Sequence, residues 1–360
     1  MFKFDFDLED ESGEEKQVSV QEVQDSTLDG RPFKEHALQE LIQTLPADIS
    51  YSSVRSGPHD IPRRDLFDVR LQLIASEAPG DNSTDKANED QAAIEFVSRP
   101  SDLVPRVYEG GDEDLGRILE LGCGTAMPSL ALLQKLLNQE APSQNGKTIF
   151  HLQDYNFSVL EYVTLPNIIL VWFFSKAGEA YRATIPPPSP KPDSKSKLPD
   201  VSNLTLESVP EEEEEEADTP EQAQISYDPH AFKVTEPGDL ALTQALRTAF
   251  LDSLTSHRIE LRFFSGPWDG FIPETSYDLV LTSETIYQPT SLPSLVRLLR
   301  DASGSSGKCL VAAKMVYFGV GGGIREFEQA LKKGGGIAKC VWEQREGVGR
   351  SILQVTYEQQ

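Results

Sequence analysis

The stretch Arg117-Ile-Leu-Glu-Leu-Gly-Cys-Gly-Thr125 constrains this chain more than any other. Ile118 to Leu121 is a short apolar run of the kind that forms a buried strand. It runs into Gly122-Cys123-Gly124, a turn whose glycines accept backbone angles closed to other residues. Leu130, Leu133, Leu136 and Leu137 then recur at helical spacing. Strand, glycine turn and helix open a Rossmann-like nucleotide site, in which a ligand approaches the backbone and a helix N-terminus offers N–H groups. The spacing is G-x-G, without the third glycine of the dinucleotide fingerprint. Glu120, just before the first glycine, suits an ammonium-bearing ligand better than a pyrophosphate. The turn therefore favours S-adenosylmethionine over NAD, with Glu120, Gly122, Cys123 and Gly124 as candidate contacts. The same letters also suit a plain buried strand with a tight turn, so the rest of the chain has to decide.

About thirty residues on, Lys147 to Gln153 reads as the second strand and ends at Asp154-Tyr155-Asn156. An acidic group at that strand end receives ribose hydroxyls in nucleoside-binding folds, since a carboxylate can accept both hydrogen bonds of a cis-diol. Asp154 is the candidate; an N-cap for the following helix is the alternative, and one residue can serve both ends. Val159 to Phe174 reads either as a helix broken near Pro166 or as containing a strand at Ile168–Phe174. Further strands are expected at Arg258–Phe264, Asp278–Ser283, Lys308–Ala313, Ile337–Trp342 and Ser351–Tyr357, with helices at Leu240–Leu254, Ser291–Arg300 and Ile324–Leu331. Alternating strands and helices with a final pair imply an α/β fold: seven strands, mostly parallel, one antiparallel, and helices on both faces.

Toward the N-terminus, Phe2, Phe4 and Phe6 alternate with polar residues as in a short strand, and 7–30 reads as disordered. His36–Leu45 reads as a helix, Ile61–Ile74 carries mixed helical spacing, and Ser76–Asp90 is linker-like. Ser101–Gly111 reads as a loop into the core. The domain division expected is a partly disordered 1–100 segment and a 101–360 domain. That domain is interrupted at about 175–237 by a Pro-rich and acidic insertion containing Glu211–Glu216. Such composition buries too little to offset ordering entropy.

The net charge is -25. Direct nonspecific binding to nucleic acid is thereby disfavoured, whereas a basic protein partner would be steered in. The same charge also serves to keep unfolded segments soluble. Three cysteines without paired spacing indicate neither a disulfide framework nor a zinc site. No signal peptide is read, and no apolar run is judged long enough to span a membrane.

Ligands of open parallel sheets sit beyond the carboxyl ends of the strands. There the glycine turn would contact the amino-acid part of the ligand, Asp154 the ribose, and Trp268, after Gly266, a purine face. Ser283 and Glu284 face the reacting end.

The runs Leu119-Glu-Leu-Gly-Cys-Gly-Thr125, Gln153-Asp-Tyr-Asn156, Val163-Thr-Leu-Pro-Asn167, Phe263-Phe-Ser-Gly-Pro-Trp268, Leu281-Thr-Ser-Glu-Thr-Ile-Tyr287 and Tyr317-Phe-Gly-Val-Gly-Gly-Gly323 resemble the eukaryotic protein-histidine N-methyltransferases. Order and spacing match over roughly 101–357, apart from the insertion, and the Phe-Lys-Phe-Asp-Phe opening also fits. The resemblance implies a Rossmann-like seven-strand methyltransferase fold with S-adenosylmethionine as cofactor. The matching runs add Gln153, Tyr155 and Gly266 to Asp154, Trp268 and Ser283 as cofactor contacts, while Glu284 and Tyr287 are catalytic candidates by their place at the end of the fourth strand. The resemblance also implies methylation of a histidine of a large-subunit ribosomal protein at the distal imidazole nitrogen, in the cytosol and the nucleus or nucleolus; a monomer is expected. One departure stands out: Tyr108-Glu-Gly-Gly111 continues through Asp112-Glu-Asp-Leu-Gly116 into the strand, where the family carries a Trp-Glu-containing helix. A binding or assembly factor for a basic ribosomal protein, or a lysine methyltransferase, are the competing expectations.

Methyl transfer needs the nucleophile in line with methyl and sulfur, so positioning dominates. A neutral imidazole already carries its lone pair. What the site must do is present the correct tautomer and take a proton afterwards; fixing the tautomer is the role expected of Glu284 or Tyr287.

Overall fold

The computed structural model describes residues 32–56, 58–76, 103–109, 115–142, 146–185, 232–304, 307–317, 321–345 and 347–357. The strands are β1 (Lys34–His36), β2 (Asp48–Ser56), β3 (His59–Arg64), β4 (Arg117–Leu121), β5 (Thr148–Asp154), β6 (Gly238–Ala241), β7 (Ile259–Ser265), β8 (Leu279–Ser283), β9 (Lys308–Lys314), β10 (Gly336–Gln344) and β11 (Arg350–Tyr357). Eight of them form one sheet in the order β1-β7-β5-β4-β8-β9-β11-β10. β7, β5, β4, β8 and β9 run parallel, and β11 lies antiparallel between β9 and β10. The expected seven-strand sheet with its one antiparallel strand is present, and β1 adds an eighth, antiparallel strand at the far edge.

Apolar residues alternate across β4 into two cores. Ile118 packs with the helices α4 (Met127–Leu137) and α5 (Phe157–Phe174). Leu119 and Leu121 pack with α7 (Leu292–Ser303) and α8 (Ile324–Lys333) on the other face. A strand buried on both faces reads as a continuous apolar run, which is why β4 was legible. β1 was not: Lys-Glu-His has no apolar alternation, and backbone pairing with β7 holds it. Phe33, just ahead of it, stacks at 5.8 Å on Phe264 and 5.0 Å on Phe271.

The second sheet has the order β3-β2-β6, and β3 packs on α5. β6 corrects the helix expected from Leu240: Leu240 pairs with Ile49. The helix α6 spans Gln244–Ser256, capped where the Thr243 hydroxyl accepts from the Leu246 N–H at 3.1 Å. α1 is Leu38–Thr44, within the expected span. Residues 61–74 resolve into the end of β3 and α2 (Leu66–Ser76). The expected loop before the core contains a helix, α3 (Leu103–Glu109), whose Leu103, Val104 and Val107 are buried. Pro105 fits because the first helical turn has no partner for an amide N–H. Residues 175–185, assigned to the insertion by composition, form two short helical turns, and Arg182 donates to the Ser175 carbonyl at 2.9 Å. The expected Phe2–Phe6 strand, the 7–30 segment, the 77–90 linker and most of the insertion lie outside the described residues.

Pro166 does not break α5, and no strand begins at Ile168. A π-helical turn at Leu160–Thr164 precedes the proline, which sits in the first turn of the α-helical part that follows. The 18 residues of α5 are long and apolar enough to cross a membrane, which corrects the expectation of no such run; 83% of that window is buried inside the fold.

Candidate active site

The glycine turn is tied to the end of β5. Gly122 N–H donates to Gln153 Oε1 at 3.2 Å, Cys123 N–H to the Gln153 carbonyl at 2.8 Å, and Gly124 N–H to Asp154 Oδ2 at 3.0 Å. Gly122, Gly124 and Ala126 all hold left-handed backbone, with φ of 58°, 51° and 56°. Such angles cost a residue with a Cβ of order 1–2 kcal/mol, so Ala126 carries strain that the two glycines avoid. A Cβ on Gly122 would meet Thr285 Cγ2 at 2.5 Å. The Thr164 hydroxyl donates to the Gly124 carbonyl at 2.7 Å. Asn167 Nδ2 donates to the Thr125 carbonyl at 3.1 Å, while its Oδ1 accepts from Arg64 N–H at 2.7 Å. The π turn and the β2–β3 hairpin are thereby linked to the glycine turn.

Asp154 Oδ1 accepts the Asn156 N–H at 3.0 Å, so the carboxylate serves the turn on one side and the start of α5 on the other. Burial raises its pKa from 3.8 to about 6. Gln153 is fully buried: Nε2 donates to the Gly266 carbonyl at 2.8 Å, and Oε1 also accepts from Trp268 Nε1 at 2.9 Å. Gly266 has φ 111°, and a Cβ there would meet Phe33 Cα at 2.8 Å. β1 therefore backs the loop that carries Trp268, whose indole stays partly exposed.

The second half lies at the ends of β8, β9 and β11. Glu284 follows β8 with φ 61°. Its Oε1 accepts from Arg350 Nη2 at 2.6 Å, and its Oε2 from the Tyr317 hydroxyl at 3.1 Å, with Lys314 Nζ at 3.7 Å. The Lys314 ammonium lies 5.3 Å from the Tyr317 ring centre. Burial, then the Glu284 charge, push the Tyr317 hydroxyl pKa up. The Tyr287 ring stands 6.3 Å from that of Tyr317; burial, then the Asp154 charge, raise the pKa of its hydroxyl. Tyr287 thus sits between the two halves.

Two sequence expectations change. Glu120 does not offer a charge to an ammonium group: it is 2% exposed, its Oε2 accepts the Ser129 N–H at 3.0 Å, and burial raises its pKa to about 8. It anchors the first turn of α4. Gln153 has both ends of its amide engaged by protein groups, so it acts through Gly122 and Trp268. The Cys123 thiol is buried 3.7 Å from the Thr164 hydroxyl, its pKa pushed up by burial. Tyr155 is 40% exposed beside Asp154, and Ser283 ends β8 at half-burial. Sequence reading missed Lys314 and Arg350, and gave no individual role to Thr164, Asn167, Thr285 and Tyr317, although each lies in a run it singled out. Asn167 left a trace: an amide inside an apolar helix must find partners.

The donor set fits S-adenosylmethionine. Asp154 has two carboxylate oxygens facing a strand end, with acceptor capacity beyond the amides it already holds, as a ribose diol requires. Tyr155 and Trp268 offer exposed aromatic surface for a purine. Two cavities, of about 700 and 540 Å³, lie elsewhere, against β1, β7 and α6 and between β3 and α4.

A parallel core closed by an antiparallel strand, with a glycine turn facing an acidic strand end, defines the seven-strand, Rossmann-like methyltransferase architecture. No family model matches the chain. Among curated proteins, it is a relative of those named histidine protein methyltransferase 1. The Schizosaccharomyces pombe protein is 28% identical, covering 94% of this chain and 90% of its own length. The Saccharomyces cerevisiae protein is 29% identical, covering 75% and 68%. Among solved structures, magnesium protoporphyrin IX methyltransferase from Synechocystis PCC 6803, with bound SAH, covers 80% of this chain and 93% of its own, at 9% identity and a TM-score of 0.36. The resemblance read from the sequence is borne out.

Proposed function

We propose that this protein is an S-adenosylmethionine-dependent protein-histidine N-methyltransferase. The observation that carries the reading is similarity to histidine protein methyltransferase 1 over 94% of the chain. Asp154 holds the ribose, the glycine turn lies under the amino-acid part, and Trp268 and Tyr155 border the purine. S-adenosylmethionine supplies the electrophilic methyl group. Tyr287, between Asp154 and Tyr317, is the group we assign to the target imidazole, its hydroxyl fixing the tautomer whose free nitrogen faces the methyl. Glu284 is ion-paired with Arg350 and Lys314, so we assign it to positioning Tyr317 and the β8 end rather than to taking a proton.

The substrate we favour is a basic large-subunit ribosomal protein, methylated at the distal nitrogen, by a monomer acting in cytosol and nucleus. A net charge of -25 supports a basic partner through long-range attraction. The test is the unfolding midpoint with S-adenosylhomocysteine, followed by amino-acid analysis of proteins labelled from methyl-tritiated cofactor. Ligand at 100 times its Kd stabilises by about 2.7 kcal/mol. Saturating product should raise the midpoint by roughly 5–10 °C, and the label should appear as methylhistidine. Label in methyl-lysine instead, or no shift, refutes the reading.

A further inference from the structure

The backbone groups of the glycine turn are almost all used within the protein. Gly122, Cys123 and Gly124 give their amides to Gln153 and Asp154, and the Ala126 N–H donates to the Cys123 carbonyl at 2.6 Å. The Thr282 hydroxyl donates to the Leu121 carbonyl at 2.9 Å, Thr164 to that of Gly124 at 2.7 Å and Asn167 to that of Thr125 at 3.1 Å. Among the described residues, the turn amide left over is that of Thr125. Thr125 is buried, so a free N–H there calls for a partner. Its direction follows from its own peptide plane. A trans peptide points its C=O and N–H opposite ways, so the carbonyl held by Thr164 turns the Thr125 N–H away from α5. Gly124, at φ 51° and without a Cβ, would accept the reversed plane as well. Thr164 is in turn placed by the π turn. A threonine in an α-helix commonly bonds the carbonyl three or four residues back. Here the hydroxyl lies 3.2 Å from the Val159 carbonyl, five back, and closer to that of Gly124, which takes its proton. The Cys123 thiol, at 3.7 Å, is left as the donor to that hydroxyl oxygen.

We propose that Thr164 is a positioning residue for the amino-acid end of the cofactor: it aims the Thr125 N–H at the ligand's carboxylate. The inference rests on the methyltransferase reading above. An ionised carboxylate only accepts hydrogen bonds, and the leftover group of the turn is a donor. Thr164 is fully buried behind the turn, so it touches no ligand and acts through one peptide plane. Asn167, on the same helix, holds the next carbonyl, so two successive planes of the turn take their orientation from α5. A serine would satisfy the same geometry. Valine matches threonine in shape and has no proton to give.

The test crosses variants with ligands on the full chain, read by calorimetry, the weaker ligand by competition. S-adenosylhomocysteine carries the carboxylate; S-adenosyl-3-thiopropylamine keeps the ammonium group and lacks the carboxylate. Thr164→Val should weaken S-adenosylhomocysteine about tenfold, the size of one hydrogen bond to a charged group, and leave the carboxylate-free analogue within about twofold. Thr164→Ser should keep the affinity of the unaltered chain. Val171→Ala, a buried change on the same helix, should lower the unfolding midpoint and leave both affinities unchanged. Independently of any variant, the Thr125 amide proton of the unaltered chain should move downfield in NMR with S-adenosylhomocysteine and not with the analogue. Equal losses for the two ligands, no loss, no rescue by serine, or a Thr125 amide that ignores the carboxylate overturns the positioning role and leaves the methyltransferase reading in place. An unaltered chain that binds neither ligand refutes both.

Discussion

The two halves of the site are built differently. Around Asp154, backbone does most of the work: three successive amides of the glycine turn donate to Gln153 and Asp154, some 30 positions apart in sequence. Around Glu284, side chains do it, and they come from 33 positions away for Tyr317 and 66 for Arg350. The first half is made of motif-like turns and shows little choice of side chain beyond glycine and a carboxylate. The second is a charge cluster on three strands, and none of those strands announces it. Backbone-built sites tolerate distant change and fail when a turn residue changes. Side-chain clusters keep their backbone and fail by losing one partner.

The largest expected effect falls on the first half. Asp154→Ala should weaken S-adenosylhomocysteine binding by at least about a hundredfold in calorimetry, since charged hydrogen bonds to a diol are worth about 1.5–3 kcal/mol each. Arg350→Met should leave that affinity within about threefold of the unaltered chain. It should destabilise the fold by about 2–3 kcal/mol, because Glu284 loses a partner in a mostly buried pair. If Arg350→Met harms ligand binding as badly as Asp154→Ala, the division into halves is wrong.

Gly122→Ala tests the contact between them. Left-handed backbone and overlap with Thr285 Cγ2 should together cost about 2 kcal/mol in denaturant unfolding. Adding Thr285→Ser removes that methyl, keeps the hydroxyl bonded to Thr282, and should restore the part due to overlap. An unchanged double variant would mean that strain alone acts there.

The pH response is smaller. Asp154 has its pKa raised from 3.8 to about 6, so the fold holds this proton better than the unfolded chain does. Its contribution to stability is full below pH 3.8 and is lost as pH rises through about 6. On the proposed reading ligand binding runs the opposite way, because the ionised carboxylate is the form that would accept both hydroxyls. Affinity should be about tenfold lower at pH 5 than at pH 7, read by calorimetry. A flat profile would remove Asp154 from the ribose. Smallest of all, Ala126→Gly exchanges left-handed strain for a lost buried methyl and should leave stability within about 0.5 kcal/mol.

How much was legible follows from where each element finds its partners. β4, β5, β7, β8, β9 and β11 carry their own apolar runs, and Gly122 and Asp154 sit where a strand end must place them. β1, β2 and β6 are short or polar and exist because another strand receives them, so their letters alone say little. Asp278 is similar: its Oδ2 accepts the Gly116 and Arg117 N–H groups at 2.9 and 2.7 Å, a role set by neighbours 162 and 161 positions earlier. Glu284 was picked out by its place at a strand end, yet its partners were invisible, since nothing near Arg350 points back to β8. Glu120 was misread for the opposite reason: position beside a motif said nothing of the face to which its side chain turns.

The lateness of Arg350 has a consequence for synthesis. Strand order in space and order of emergence from a ribosome disagree here: everything that cradles the nucleoside, up to Trp268, is made before the β11 residue that secures Glu284. The lag is about 80 residues, roughly 4–16 s at ~5–20 residues per second. During that interval the residues proposed to hold the nucleoside have been made, while the partner that completes the Glu284 charge cluster has not.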